Sequence, residues 1–309
     1  MDKENLREAY GKELLKIARE DERVVALDAD LCGSTMTSLL EKEIPERFFE
    51  MGIAEANMVS VAAGLALAGK IPFVNSFSVF AAGQPYNQIR QGVALANLNV
   101  RIVGSSCGLS DAGDGATHQS IEDVAIMRAI PNMTVIVPVD AEETRKVVRA
   151  SLQHQGPIYI RINRSSLPLL TDPQTVFSIG KMNPMAEGSD VTVFAAGIMV
   201  NQALQARETL AKEGISIGVV NVSTIKPLDK NEILQYTGNA KGIVTAEEHS
   251  IIGGLGSAIA EAISDQMIRI KMVGINNQFG QSASSHEELL EYYHLTPQEI
   301  ITKVKTLLN

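Results

Sequence analysis

The stretch that most constrains the fold of this chain is residues 51–69, MGIAEANMVSVAAGLALAG, which contain a single charged residue, Glu55. Apolar and small residues occupy nearly all sides of the helix that this segment would form, which is typical of a helix buried in a core or an interface. The segment is too short and too rich in Ala and Gly to cross a membrane. We therefore predict a buried helix with Glu55 in its first turn, where the carboxylate either complements the helix dipole or exchanges a proton with a bound ring.

Short apolar segments alternate with helical ones along most of the chain. We predict helices at residues 3–20, 51–69, 84–98, 120–129 and 142–153, and later at 200–213, 230–236, 255–264 and 297–308. The strands predicted between them cover residues 24–27, 71–74, 100–103, 134–137 and 158–162, and later 191–195, 217–222, 242–246 and 271–275. This alternation indicates mainly parallel α/β sheets with helices on both faces.

The alternation is interrupted once, near the middle of the chain. Residues 165–190 contain Pro168, Pro173 and Pro184 and show neither helical nor strand periodicity, which is typical of a linker. We therefore predict two successive α/β domains. The first covers residues 1–167, the linker residues 168–189, and the second, smaller domain residues 190–309.

The charge and the cysteine content of the chain limit the classes of partner that it can bind. With 27 basic and 36 acidic residues among 309, the net charge of −9 offers no general attraction to nucleic acid or acidic membranes. Two cysteines without a CxxC spacing imply neither a disulfide framework nor a zinc site. The first residues, MDKENLREAYGKEL, predict a charged amphipathic helix without the apolar core of a signal peptide. We predict a soluble, cytoplasmic protein that binds neither nucleic acid nor membranes.

A second unusual segment is the polar loop at residues 105–119, SSCGLSDAGDGATHQ, which contains Asp111, Asp114 and His118. It follows a predicted strand and precedes a predicted helix, the position at which open α/β sheets bind ligands. Its glycines allow a ligand to approach the backbone closely, although a plain turn between two elements has the same composition. No metal-ligand spacing, P-loop or GxGxxG motif occurs in this segment, and we predict no metal site in this chain.

Several segments together resemble the transketolase family. They are MGIAEANMVSVAAGLAL, GDGATHQSIEDVAIMRAIPNMTVIVPVDAEET, STIKPLD and EEHSIIGGLGSAIAE, and they occur in the order of that family. The resemblance covers essentially all 309 residues but only the carboxy-terminal half of a full transketolase. It implies a pyrimidine-binding domain followed by a transketolase C-terminal domain, as in transketolases split into two polypeptides.

The resemblance implies thiamine diphosphate as the cofactor. The family holds the diphosphate and Mg²⁺ with a GDG motif followed by paired asparagines, and no such pair follows the GDG of this chain. The chain would therefore bind the pyrimidine end only, and a separate N-terminal transketolase subunit would bind the diphosphate and Mg²⁺. We expect this chain to be inactive alone and to work in an α2β2 assembly that includes contacts between its own copies.

The cofactor-binding residues are also implied by the resemblance. Glu55 matches the glutamate that bonds the pyrimidine nitrogen and favours the imino form of the ring, whose nitrogen receives a proton from the thiazolium. Phe77 and Phe80 resemble the aromatic wall around that ring, although both would be ordinary as core aromatics. His118 matches a residue near the cofactor and the reacting carbonyl. Glu55 and His118 are thus the predicted catalytic residues.

For the substrate, Arg7, Ser34 and Arg161 match family positions that grip the sugar phosphate, for which a guanidinium offers a planar fork of donors. As alternatives, Arg7 would be a solvated helix residue and Arg161 an ion-pair partner at a strand end. Asp114 resembles an aspartate that contacts a sugar hydroxyl. Ser106 stands where the family usually has a histidine contacting the acceptor sugar, which favours an altered sugar phosphate over the standard pentose set.

The predicted function is therefore the C-terminal subunit of a two-chain transketolase that moves a two-carbon ketol unit between sugar phosphates. Two alternatives stay open. The first is the β subunit of a 2-oxoacid dehydrogenase or decarboxylase, which shares both domains and the glutamate. The second is a non-catalytic regulatory subunit, against which the presence of Glu55, Asp114 and His118 argues.

Overall fold

The computed structural model describes residues 2–309, and its elements alternate along most of the chain. The strands within this range are β1 (Lys3–Asn5), β2 (Val24–Asp28), β3 (Phe48–Glu50), β4 (Ile71–Phe77), β5 (Arg101–Ser105), β6 (Thr134–Ile136), β7 (Ile158–Arg161), β8 (Ser166–Pro168), β9 (Asn183–Ala186), β10 (Val191–Ala195), β11 (Ile217–Asn221), β12 (Thr224–Lys226), β13 (Ile243–Ser250) and β14 (Ile270–Ile275). The α-helices are α1 (Leu6–Glu20), α2 (Cys32–Thr35), α3 (Ser38–Glu43), α4 (Glu55–Leu67), α5 (Ser78–Gly83), α6 (Tyr86–Gln88), α7 (Asp123–Arg128), α8 (Ala141–Ser151), α9 (Met199–Lys212), α10 (Lys230–Thr237), α11 (Leu255–Ala262), α12 (His286–Tyr292) and α13 (Pro297–Leu308). Single 3₁₀ turns lie at Pro45–Arg47 and Gly115–Thr117, and a π-helix at Ile89–Ala94.

Two sheets of mainly parallel strands confirm the predicted α/β class. The larger sheet has seven strands in the order β12-β6-β7-β5-β4-β2-β3, and only β12 is antiparallel to its neighbour. The smaller has five strands in the order β14-β13-β10-β11-β9, with β9 antiparallel. A further antiparallel pair joins β1 to β8.

The larger sheet has an apolar core on each face. Val24 and Ala26 of β2 belong to the core covered by α1 and α8, whereas Val25 and Leu27 belong to the core covered by α4 and α7. Successive side chains of a strand point to opposite faces, so both sets are buried. This explains why the strands are continuous apolar runs rather than alternating ones.

The two halves of the chain share the larger sheet, which the sequence did not predict. Strand β12 comes from the second half and pairs with β6 of the first. Next to it, the buried carboxylate of Glu143 accepts hydrogen bonds from Asn221 Nδ2 (3.0 Å), Ser223 Oγ (2.6 Å) and the Val139 amide (2.7 Å). Burial raises the pKa of Glu143 to about 7. The predicted domain boundaries stay a prediction.

The N-terminal prediction was wrong for its first three residues. Lys3–Asn5 form β1 instead of helix, and α1 begins at Leu6. The cause is local, because the side chain of Asn5 accepts from the amides of Arg7 and Glu8 and so caps the helix. This cap places Arg7 in the first turn of α1.

Helix α4 is the helix predicted from residues 51–69, and it begins at Glu55. One face is buried and carries Met58 and Val59. The opposite face exposes Ser60 and Leu67, so the helix is not covered on all sides within the single chain. The single chain therefore confirms burial of one face, and burial of the other face in an interface stays a prediction. No helix among residues 2–309 is long and apolar enough to cross a membrane.

Candidate active site

A cavity of about 530 Å³ lies at the carboxyl end of the larger sheet. The segments that follow three neighbouring parallel strands, β2, β4 and β5, line it, as expected for a ligand site of an open α/β sheet. Its walls are formed by Ala29, Asp30, Leu31, Ile53, Glu55, Phe80, Gln84 and His118. Three residues predicted from the sequence, Glu55, Phe80 and His118, therefore meet at one cavity.

Glu55 is the first residue of α4, and its carboxylate lines the cavity while the residue is only 8% exposed. No ion pair or side-chain hydrogen bond within residues 2–309 involves this carboxylate. The amino end of a helix favours a negative charge at this place. A buried carboxylate without a partner in the chain is a group that can bond a ligand.

Three rings form one aromatic cluster beside Glu55. The Phe80 and His118 ring centroids lie 5.3 Å apart in an edge-on arrangement, and Phe80 and Phe77 stack at 6.3 Å. Phe77 is buried as the last residue of β4 and does not line the cavity. Phe80 and His118 are thus the residues that a bound ring would meet, and Phe77 supports them from behind.

The loop after β5 carries two neighbouring carboxylates. Asp111 is buried and accepts a hydrogen bond from Arg164 Nη1 (2.7 Å), whereas Asp114 is exposed. Burial raises the pKa of Asp111, and the negative charge of Asp114 raises it further against the opposing effect of Arg164. Only Asp114 of this pair is free to contact a ligand in solvent.

Two arginines lie close together near this loop. Arg7 Nη1 donates to the carbonyl oxygen of Ser34 at 2.9 Å, so the structure brings these two predicted residues together. Burial lowers the pKa of Arg7, and the positive charge of Arg164 lowers it further. Two guanidinium groups that repel each other are stabilised by an anion placed between them.

Arg161 does not take part in this arrangement, which contradicts its prediction as a phosphate-binding residue. It belongs to β7, an interior strand, and its side chain is 4% exposed. Its Nε donates to Asp123 Oδ2 (2.8 Å), and its Nη2 donates to the carbonyl oxygens of Ser120 and Glu248 (3.0 Å each). The alternative named above, an ion-pair role, is the one the geometry supports.

Arg164 is the residue that the sequence analysis missed. Its side chain is 39% exposed and it lies three residues beyond the end of β7. The carboxyl ends of parallel strands are where ligands bind, so position along the strand was the signal that could have distinguished Arg164 from Arg161.

Ser106 is buried directly after β5 and does not line the cavity. Its φ angle is +52°, and its hydroxyl has no hydrogen-bond partner among residues 2–309. Strained, unsatisfied residues of this kind are concentrated at functional sites. Within the part of the chain that is described, no group of three or more His, Cys, Asp or Glu residues could hold a metal ion.

The chain matches two family models along most of its length: the transketolase pyrimidine-binding domain at residues 2–169 and the transketolase C-terminal domain at residues 180–300. It is 45% identical over 303 residues to a putative transketolase C-terminal section of Methanocaldococcus jannaschii, covering 97% of this chain and 95% of that one. It is 43% identical to the 6-deoxy-6-sulfo-D-fructose transketolase subunit SqwH of a Clostridium species, covering 96% and 92% of the two chains.

Solved structures agree with these matches. A split-gene transketolase, described as an inactive β4 tetramer, superposes with a TM-score of 0.88 at 43% identity, covering 98% of each chain. A transketolase from Campylobacter jejuni superposes with a TM-score of 0.84 at 21% identity, covering 99% of this chain and 47% of that one, which shows the fold alone.

Proposed function

Since this chain belongs to the transketolase family, we propose that it is the C-terminal subunit of a two-chain, thiamine-diphosphate-dependent transketolase. The complex transfers a two-carbon ketol unit between sugar phosphates. The observation that carries the proposal is the buried Glu55 carboxylate, which faces a cavity together with Phe80 and His118.

The residues at this cavity fit the pyrimidine end of the cofactor. Glu55 can share a proton with a ring nitrogen, and Phe80 offers an apolar face to the ring. When bound, thiamine diphosphate supplies the carbon nucleophile that carries the two-carbon unit. The diphosphate and Mg²⁺ are assigned to the N-terminal partner subunit.

Each residue of this chain then has a defined task. Glu55 holds a proton at the ring nitrogen, in a water-poor place where such a hydrogen bond is strong. His118 lies at the cavity wall, where its imidazole can exchange a proton with the reacting carbonyl. Arg7 and Arg164 bind the terminal anion of the sugar, and Asp114 contacts a hydroxyl group.

The need for a partner subunit has independent support. The similar split-gene structure is described as an inactive β4 tetramer, which contains no second kind of chain in that description. Beside Glu55, the side chain of Ile53 is 81% exposed at the cavity wall. A partner that covers this side would bury the exposed apolar surface and exclude water from the site. We propose an α2β2 assembly of this chain with an N-terminal transketolase subunit.

The substrate is proposed to be a sugar with a terminal anion outside the standard pentose phosphate set. Ser106, with its small buried hydroxyl, removes the imidazole that the family usually places there. Two relatives of similar length are named for 6-deoxy-6-sulfo-D-fructose and for apulose 4-phosphate, at 43% and 36% identity. Both names describe sugars with a terminal anionic group, which suits a pair of arginines.

The test mixes this chain with its N-terminal partner, thiamine diphosphate and Mg²⁺ and measures ketol transfer. Xylulose 5-phosphate with ribose 5-phosphate is compared with a panel of other sugar phosphates, sulfo-sugars and pyruvate. We expect transfer only in the mixture, with a preferred donor or acceptor other than xylulose 5-phosphate and ribose 5-phosphate. An assembled, cofactor-loaded complex that decarboxylates pyruvate, or that transfers nothing, would refute the proposal.

A further inference from the structure

The backbone around Arg164 is held by residues of the second half of the chain. On one side of Arg164, Asn163 Nδ2 donates to Glu248 Oε2 at 3.0 Å. On the other side, Ser165 Oγ lies 2.8 Å from His286 Nδ1. Each neighbour of Arg164 is therefore tied to one of two buried side chains that contact each other.

Glu248 is the centre of this network. Its Oε1 accepts from the Leu109 amide at 2.8 Å and contacts His286 Nε2 at 2.6 Å, and both Glu248 and His286 are buried. Burial lowers the pKa of His286, but the Glu248 carboxylate outweighs this effect and raises it above its ordinary value. Hydrogen bonds to an ionised group are stronger than neutral ones, so this pair is a firm anchor.

The loop backbone at Gly108 leaves room for the Glu248 carboxylate. Gly108 has a φ of +62°, and a Cβ atom at this position would lie 2.5 Å from Glu248 Cδ. Only glycine combines this backbone conformation with so close an approach. The loop that carries Asp111 is therefore fitted around a side chain from the other half.

A second contact holds the Asp111 side of the loop. Gln119 Nε2 donates to the carbonyl oxygens of Asp111 (3.2 Å) and Gln281 (2.9 Å), and the Ala283 amide donates to the carbonyl of Ala112 (2.9 Å). Arg164 and its ion-pair partner Asp111 are thus both positioned by the second half of the chain.

We propose that Glu248 and His286 are positioning residues that set the place of Arg164 opposite Arg7, and hence the affinity for the terminal anion of the substrate. The assignment of an anion to Arg164 rests on the proposed function, whereas the positioning itself does not. Neither residue lines the cavity, so neither acts on the reacting atoms. The second half of the chain thereby takes part in substrate binding.

The test compares His286→Gln and Ser165→Ala with Ser166→Ala, a neighbouring exposed serine whose hydroxyl makes no hydrogen bond within the described chain. Hydrogen exchange of the full chain is followed at the amides of residues 109, 164 and 165. In the assembled complex, KM for the phosphorylated ketose and kcat are measured. One lost hydrogen bond corresponds to roughly a five- to tenfold change.

We expect both test variants to exchange about fivefold faster at these amides and to raise KM about fivefold, with kcat within twofold and the control unchanged. Unchanged exchange at residues 109 and 164–165 in a folded His286→Gln variant would overturn the proposal, as would an equal fall in kcat. The exchange measurement requires no turnover. Absence of ketol transfer therefore refutes the proposed function, and the exchange result still decides the positioning.

Discussion

Replacing Arg164 and Arg161 separately by methionine distinguishes substrate binding from internal packing. The two side chains are three residues apart, but that of Arg164 is 39% exposed with one ion-pair partner, whereas that of Arg161 is 4% exposed with three hydrogen bonds. Methionine keeps the length and apolar stem of the side chain and removes the charge. Differences between the variants then report on the guanidinium group.

The expected magnitudes differ in kind. Loss of a charge-assisted hydrogen bond to a substrate anion costs about 1.5–3 kcal/mol, so Arg164→Met should raise KM roughly 10- to 100-fold. Its free energy of unfolding should fall by about 1–3 kcal/mol, less than for Arg161→Met, because Asp111 is buried but the Arg164 side chain is 39% exposed. Arg161→Met leaves the fully buried Asp123 without its cation, which costs about 3–5 kcal/mol of unfolding free energy.

Urea unfolding of the chain and steady-state kinetics of the assembled complex measure both effects. Although burial raises it, the charge of Arg161 keeps the pKa of Asp123 below its ordinary value. Adding Asp123→Asn to Arg161→Met should therefore recover part of the lost stability. Normal stability with an increased KM for Arg161→Met, together with normal substrate binding by Arg164→Met, would refute this assignment and return Arg161 to the anion site.

Three further predictions test other parts of the structure. Glu55→Gln should leave the midpoint of unfolding and the assembly unchanged by size-exclusion chromatography, yet abolish turnover. The pKa of Glu143 is 4.5 ordinarily and about 7 in the folded chain, so its neutral carboxyl contributes about 3 kcal/mol of stability below pH 4.5 that is lost as pH rises through 7. Glu143→Gln should flatten this pH dependence of the free energy of unfolding in urea. Gly108→Ala should destabilise the chain by about 1–3 kcal/mol in thermal unfolding because its Cβ would meet Glu248, whereas Gly113→Ala, with open space around it, should not.

The sequence predicted the regular parts of the fold because those parts are long apolar runs. The α/β class follows from buried parallel strands such as β4, whose seven residues are all buried. Four of the five three-residue strands within residues 2–309, β1, β3, β8 and β12, escaped prediction because their pairing depends on tertiary neighbours. Such short segments show no periodicity that could separate them from loops.

The candidate site could be predicted from the sequence only where a residue of a motif lies at the end of a helix or strand. Glu55 is the first residue of a helix and faces the cavity that the next strands also reach. The two arginines at the end of β7 show the limit, because a motif gives the spacing of residues but not the side of a strand on which a side chain lies. Burial of Arg161 against Asp123 is decided by α7, a helix nearly forty positions earlier in the chain.

The second half of the chain is an integral part of the candidate site rather than an appendage. It supplies strand β12 to the larger sheet, the partners of Glu143 to the core, and Glu248 and His286 to the segment around Arg164. These contacts lie in three different places, so they resist independent motion of the two halves. If the site lies between this chain and a partner subunit, the walls that this chain supplies must be rigid. Binding energy that is used to order mobile walls no longer contributes to substrate affinity. The contacts between the two halves therefore keep the walls of the candidate site rigid.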